Sequence, residues 1–375
     1  MAERARGGAG QINAGRAPRL VIPLGDPAGI GTEVVLKALA MDGPWAAATI
    51  ALVGDRGLLM GQYDQLRRVA TAPLANPEDW PIVDVPVADR GAIAWGQPNG
   101  TTGAAGFAWL DRAIAETLAG RFEAIVTAPI AKAAWHAAGH PYPGQTEVLA
   151  QRAGATRFGM MFAARSPRTG WILRSLLATT HIPLATVPAA LTPELLDQKL
   201  DLLITTLATD FGVAAPHIAI AGLNPHSGEG GKLGREEHDW MDAWLQESRD
   251  RHPQAKLVGL VPPDTLWVGA GRAWFGDESD EEGGDRAIAT LPDAYLALYH
   301  DQGLIPVKLM AFDRAVNLTV GLPFVRTSPD HGTAFDIAGQ GIARGISFAA
   351  ALEWAMDLVQ RRQTATVAPA APANH

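Results

Sequence analysis

Three histidines stand in matched surroundings: His181 in "LLATTHIPL", His226 in "AGLNPHSGEGG" and His300 in "LALYHDQGL", each just after an apolar run. Neutral imidazoles suit divalent first-row ions, and three protein ligands leave a coordination position open for a substrate. For any one of them alone, a histidine capping its own loop is the plainer reading. The repeated context points to a shared ion. No cysteine is present, so no thiolate competes as ligand or nucleophile. Ligand type makes zinc the first expectation, with cobalt, nickel, manganese and magnesium as the others.

A second group has the chemistry of anion recognition. Lys308 lies in the apolar stretch "LIPVKLM", and Asn317 and Arg326 lie in "VNLTVGLPFVRTSPDHGTAFDIAGQGIA", a segment dense in polar groups for so apolar a chain. Arg326 can fork onto a phosphate or carboxylate, and Lys308 can supply a point charge. For each, an ordinary structural ion pair is the competing reading. "GDPAGIG" at residues 25–31 has the look of a phosphate-cradling loop, but Pro27 removes a donor and the dinucleotide spacing fails. A tight strand-to-helix turn is the alternative, with Asp26 as the residue that could still face a site.

These residues sit among elements that alternate. "RLVIP", "ATIALVGD", "FEAIV", "HIAIA" and "AYLAL" are short apolar strands, and "TGAAGFAWLDRAIAETLAG", "TPELLDQKLDLLITTLATDFG" and "ISFAAALEWAMDLVQRRQ" have helical spacing. Near-continuously apolar strands between helices predict an α/β protein with sheets covered by helices on both faces. In such folds ligands collect beyond the carboxyl ends of strands. "AYLALYHDQGLIPVKLM" reads as a strand, a polar tip carrying His300, and a second apolar segment holding Lys308.

The chain has 375 residues, is 47% hydrophobic and carries a formal charge of −8. A nucleic-acid footprint is not expected from that balance. No apolar run approaches the roughly 18 residues that span a bilayer. Lack of cysteine fits a reducing cytoplasm. Residues 1–18 and 363–375 read as disordered ends around a single two-lobed unit at 19–362, and the acidic run 275–286 as a solvated loop.

Taken together, "GDPAGIGTE", "TAPIAKAAWHAAG", "PGQTEVLA", "LLATTHIPL", "GLNPHSGEGG", "YHDQGLIPVK" and the 316–343 segment resemble the 4-hydroxythreonine-4-phosphate dehydrogenase (PdxA) family of vitamin B6 biosynthesis. The resemblance implies a two-domain fold like that of isocitrate and isopropylmalate dehydrogenases, with an interdomain active-site cleft. It also implies a homodimer whose site is built from both subunits. The implied activity is oxidation by NAD or NADP of a secondary alcohol β to a carboxylate, followed by decarboxylation. His181, His226 and His300 become metal ligands, one of them from the partner subunit. Gln145, Thr146, Lys308, Asn317 and Arg326 become contacts to a small anionic substrate. His331, Gly332 and Asp336 fall on the cofactor side. Asp264 and Asp301 are the candidate general bases, with Lys308 beside them as a catalytic group.

One position departs from the family pattern: Gln145 stands where a histidine is usual. Glutamine can donate a hydrogen bond but cannot become a cation. That keeps a second substrate class in view, a cis-dihydrodiol carboxylate of the terephthalate type or a phosphorylated four-carbon sugar acid. A non-catalytic binding protein retaining the fold is the alternative from another class.

Overall fold

The computed structural model describes residues 16–276 and 291–367. Most of the expected disordered extension, the tail from 368 and all but the start of the acidic run lie outside these residues. Among the described residues there are eleven strands: β1 (Arg19–Pro23), β2 (Thr49–Gly54), β3 (Ile82–Asp84), β4 (Ala124–Val126), β5 (Gly159–Arg165), β6 (Ile172–Leu177), β7 (His217–Ala221), β8 (Lys256–Val261), β9 (Ala294–Ala297), β10 (Val316–Val320) and β11 (Val325–Pro329). The helices are α1 (Gly31–Leu39), α2 (Arg56–Leu66), α3 (Gly100–Leu118), α4 (Lys132–Ala137), α5 (Gln145–Ala153), α6 (Val187–Ala190), α7 (Pro193–Phe211), α8 (Asp242–Arg251), α9 (Val268–Phe275), α10 (His300–Ala311) and α11 (Ile346–Val367).

All eleven strands form one sheet, in the order β3-β2-β1-β4-β11-β10-β5-β6-β9-β7-β8. Strands β3, β2, β1, β4 and β11 are parallel to one another, and so are β6, β9, β7 and β8. Between them, β10 and β5 pair antiparallel to their neighbours, so the two parallel halves run in opposite directions. The fold is the mixed α/β class expected, with a single continuous sheet in place of separate ones. Antiparallel pairing at the centre is what fuses the halves.

Leu20, Val21 and Ile22 of β1 are all fully buried. Successive side chains point to opposite faces, so burial of three in a row requires cover on both. Helix α3 packs on β1, β2 and β4, α11 packs on β11, β4 and β10, and α10 packs on β6, β9 and β5. Helix ends follow the sequence signals. Asn99 closes a capping box with Thr102 at the start of α3. Thr192 caps α7, Pro193 is its first residue, and Gly212 ends it in the left-handed region at φ 70°.

The segment after β9 differs from expectation. It is a helix, α10, whose first residue is His300. The polar tip divides its labour. His300 lines a pocket. Asp301 Oδ1 lies 2.7 Å from His300 Nδ1. Gln302 is buried, accepting from Leu298 N and donating to Gly222 O at 2.7 Å each, which ties the end of β9 to the end of β7. A Cβ on Gly303 would lie 2.5 Å from Leu177 Cδ2, so glycine is what lets α10 lie directly on β6. Among the described residues no helix is long and apolar enough to cross a membrane.

Candidate active site

The floor of the site is one face of the three central strands. Phe162 and Met160 of β5, Asn317 of β10, and Arg326 and Ser328 of β11 alternate along their strands and line a cavity of about 280 Å3. In register, Phe162 pairs with Asn317, and Asn317 with Ser328. Period-two alternation puts them on the same side. The walls come from segments leaving neighbouring strands: Thr127 to Lys132 after β4, Pro329 to Gly332 after β11, His181 after β6, Gly144 to Glu147 at the start of α5, and one face of α10. His300, Leu304 and Lys308 are spaced by four residues and so share that face. This accounts for a lysine inside an apolar segment: it lies two helical turns from His300, above the same cavity.

Arg326 is 5% exposed. One of its terminal nitrogens donates to Thr319 Oγ1 at 3.1 Å and the other to Thr127 Oγ1 at 2.9 Å, while Nε has no partner. Among the described residues no carboxylate lies within ion-pair distance of it. Burial pushes its pKa down to about 10, with the Glu147 charge acting against that shift. Lys308 Nζ is 3.0 Å from Asp330 Oδ2. Lys132 adds a third cation to the lining, against the carboxylates of Glu147 and Asp330. Thr146 Oγ1 is 3.4 Å from Thr319 Oγ1, and Gln145 Nε2 donates to Ala128 O at 3.0 Å. Asn317 Oδ1 and His331 Nε2 are buried and lack partners among the described residues. A polar cavity with a charge excess of one cation and several unpaired hydrogen-bonding atoms is suited to an anionic ligand.

The imidazoles of His181 and His300 face each other with ring centroids 5.6 Å apart. Burial, then the nearby charges of Lys132 and His300, lower the His181 pKa and favour its neutral, donor form. Asp301 at Nδ1 of His300 can fix that ring so that Nε2 is free to donate to a cation. Two imidazoles therefore fit a divalent cation in part. No set of three histidine or acidic side chains gathers among the described residues, and of the three candidate histidines His181 and His300 line this cavity.

His226 does not line this cavity. It follows β7, whose neighbours in the sheet are β9 and β8, so His181, His300 and His226 succeed three strands, β6, β9 and β7, that are adjacent and parallel. Its loop is unusual: His226, Ser227, Gly228, Glu229 and Gly230 are all left-handed, with φ between 44° and 78°. Buried Glu237 holds that loop, accepting from Leu223 N and Asn224 N at 2.7 Å each and from Asn224 Nδ2 at 2.8 Å.

Gln145, Thr146, Lys308, Asn317, Arg326, His181, His300, His331 and Gly332 thus meet in one cavity, while Asp264, Asp301 and Asp336 are exposed and do not line it. Asp301 reaches the site only through His300. Asp26 lies elsewhere, accepting from Ala28 N and from Thr102 Oγ1. Gly25, at φ 75°, would place a Cβ 2.3 Å from Pro129 O, so "GDPAGIG" is the close-packed turn and its tightness supports a cavity wall. Lys132, Thr127, Glu147 and Asp330 were not singled out from sequence. Asp330 adjoins His331 at the end of a strand, which is the signal that could have found it.

A sheet whose antiparallel centre carries a cation-rich cavity beside paired imidazoles has the form of an α/β enzyme with a small-molecule site. The chain belongs to the PdxA family, the pyridoxal phosphate biosynthetic proteins, whose model matches residues 46–355. It is 59% identical over 350 residues to the 4-hydroxythreonine-4-phosphate dehydrogenase of Synechocystis sp., covering 92% of this chain and 97% of that protein. It is 58% identical over 349 residues to the protein of the same name from Nostoc sp., covering 92% and 94%. The crystal structure of 4-hydroxythreonine-4-phosphate dehydrogenase from Klebsiella pneumoniae superposes with a TM-score of 0.75 at 32% identity, covering 93% of this chain and all of the other.

Proposed function

We propose that this chain is a metal-dependent dehydrogenase that oxidises 4-(phosphooxy)-L-threonine at its secondary hydroxyl, with loss of carbon dioxide to give 3-amino-2-oxopropyl phosphate. The names carried by relatives at 58–59% identity support that substrate over a dihydrodiol carboxylate or a sugar acid, and an intact polar site supports an enzyme over a binding protein. The observation that carries the reading is Arg326, a buried guanidinium on the cavity floor with no carboxylate within ion-pair distance among the described residues. Such a charge is retained where a ligand anion completes it.

In this reading Arg326, Thr146 and Asn317 grip the anionic substrate, and Lys132 and Lys308 add to the field. Lys308, paired with Asp330, is the group that can hold or deliver a proton beside the reacting carbons. His181 and His300 would hold the cation together with His226 of the partner subunit, and zinc would suit that donor type. When bound, a divalent cation supplies Lewis acidity toward substrate oxygens, and NAD or NADP accepts the hydride. His331 and Gly332, on the cavity wall after β11, would face the dinucleotide.

Two features support a homodimer. One chain's cavity holds two of the three candidate histidines, and α10 exposes Ile305 and Leu309 on the face next to the one bearing His300 and Lys308. The test is turnover by chelator-stripped, zinc-reconstituted protein offered 4-(phosphooxy)-L-threonine with each nicotinamide cofactor. Reduced cofactor and carbon dioxide in equal amounts are expected. Turnover of a terephthalate-type dihydrodiol carboxylate in its place would transfer the chain to the second substrate class. Inertness toward both, with no zinc retained, would make it a binding protein.

A further inference from the structure

A second cavity, about 460 Å3, adjoins the candidate active site and shares Lys308, Asp330 and His331 with it. Its interior is apolar, formed by Ile30, Phe312, Ala334 and Ile337. Away from the shared residues, its border is charged, with Asp313 and Arg344. A dinucleotide that presents its reactive ring to the substrate cavity has to lay its other half in adjoining space. An apolar slot suits the flat face of a purine, and the charged border is where the sugar attached to it emerges.

That border carries a formed ion pair. Arg344 grips Asp313 with both terminal nitrogens, Nη2 to Oδ1 at 2.5 Å and Nη1 to Oδ2 at 3.2 Å. The Asp313 carbonyl in turn accepts from Ser347 Oγ at 3.1 Å, which anchors the turn after α10 to the start of α11. A free arginine fork binds a phosphate, whereas a carboxylate at that place favours a sugar hydroxyl. Here the fork is already filled. A phosphate arriving at the border has to break the pair and stand beside the displaced carboxylate.

We propose that the Arg344–Asp313 pair is the cofactor selector of this chain and makes it prefer NAD to NADP, by occupying the arginine that would otherwise take the 2′-phosphate. This rests on the dehydrogenase reading above. The pair is solvent-exposed, its side chains 67% and 38% accessible, so replacing either member leaves the fold in place.

The measurement is fluorescence titration of NADH and NADPH against wild type, Asp313→Asn, and the double variant Asp313→Asn with Arg344→Gln, none of which needs substrate or metal. Wild type is expected to bind NADH at least about tenfold more tightly than NADPH. Asp313→Asn should tighten NADPH by about tenfold with little change for NADH, and Arg344→Gln in that background should remove the gain. A wild type that prefers NADPH, or a ratio unmoved by Asp313→Asn while both dinucleotides bind, overturns the assignment. If neither dinucleotide binds wild type, the dehydrogenase reading itself falls, and the selector with it.

Discussion

The Arg326 guanidinium rests on two threonine hydroxyls at the cavity floor, its Nε unpartnered among the described residues, with burial holding its pKa near 10. At any pH well below that value it is a desolvated cation awaiting a partner. Such a residue lowers the stability of the empty protein and gains from the ligand. Arg326→Met is therefore expected to leave the melting temperature unchanged or raise it, by about 1 kcal/mol in stability. Substrate affinity should fall by a hundredfold or more, the equivalent of one or two charge-assisted bonds at about 1.5–3 kcal/mol each. Calorimetric melting and substrate titration on one preparation decide it. A large loss of stability would show Arg326 to be structural. Gln145 belongs to the same calculation. From sequence it looks like a missing charge, but Lys132 lines the cavity as well, so the field over the substrate does not depend on that position. Gln145 spends its amide donor on Ala128 O, and Gln145→His is expected to change kcat/KM for 4-(phosphooxy)-L-threonine by less than about tenfold. A gain beyond that would revive the second substrate class.

At the scale of elements, α3 and α7 were legible because caps, helical spacing and glycine stops agree within a single window of sequence. Helix α10 was not. Pro306 lies inside it, Gly303 near its start, and the apolar residues face both the sheet and solvent, so no clean period shows. What makes it helical is tertiary: Gln302 stapling two strand ends, and a glycine seated against Leu177. The cavity floor was hidden for a related reason. It depends on β10 and β5 pairing antiparallel, and pairing of distant strands leaves no mark in either segment. The left-handed turn at His226 is also set from outside. Non-glycine residues at positive φ cost of order 1–3 kcal/mol each, so the turn persists only while something holds it. Glu237 supplies the hold through three accepted hydrogen bonds. In Glu237→Gln one acceptor oxygen becomes a donor facing donors, which should destabilise by about 1–3 kcal/mol. Zinc affinity should fall by about 10–100-fold, as for supporting residues behind other metal ligands. Amide exchange across residues 222–236 and a zinc-competition titration check the two halves. Unchanged exchange would remove Glu237 from that role.

For the whole molecule, one chain carries two of three expected ligands in its cavity and a stripe of apolar side chains beside them. Ile305 and Leu309 on α10 are 58% and 77% exposed, Phe312 just past its end is 65% exposed, and Ile182 and Leu184 are exposed just after His181. Residues one position apart on a helix differ by about 100° in direction, so the stripe at 305 and 309 borders the face of Leu304 and Lys308. A second copy covering the stripe would thereby come to the edge of the candidate active site. Ile305→Glu together with Leu309→Glu places two charges in that stripe without entering the buried core, and should convert a dimer into folded monomers by sedimentation. The monomers should lose zinc and turnover together, since their site lacks the partner's contribution. Mixing two inactive variants, His226→Ala and His300→Ala, supplies the converse. Each heterodimer would hold one site with all three histidines and one site with a single histidine, so random mixing should restore about a quarter of wild-type turnover. Monomeric, fully active wild type, or mixtures no better than their inactive parents, would mean that each chain completes its own site.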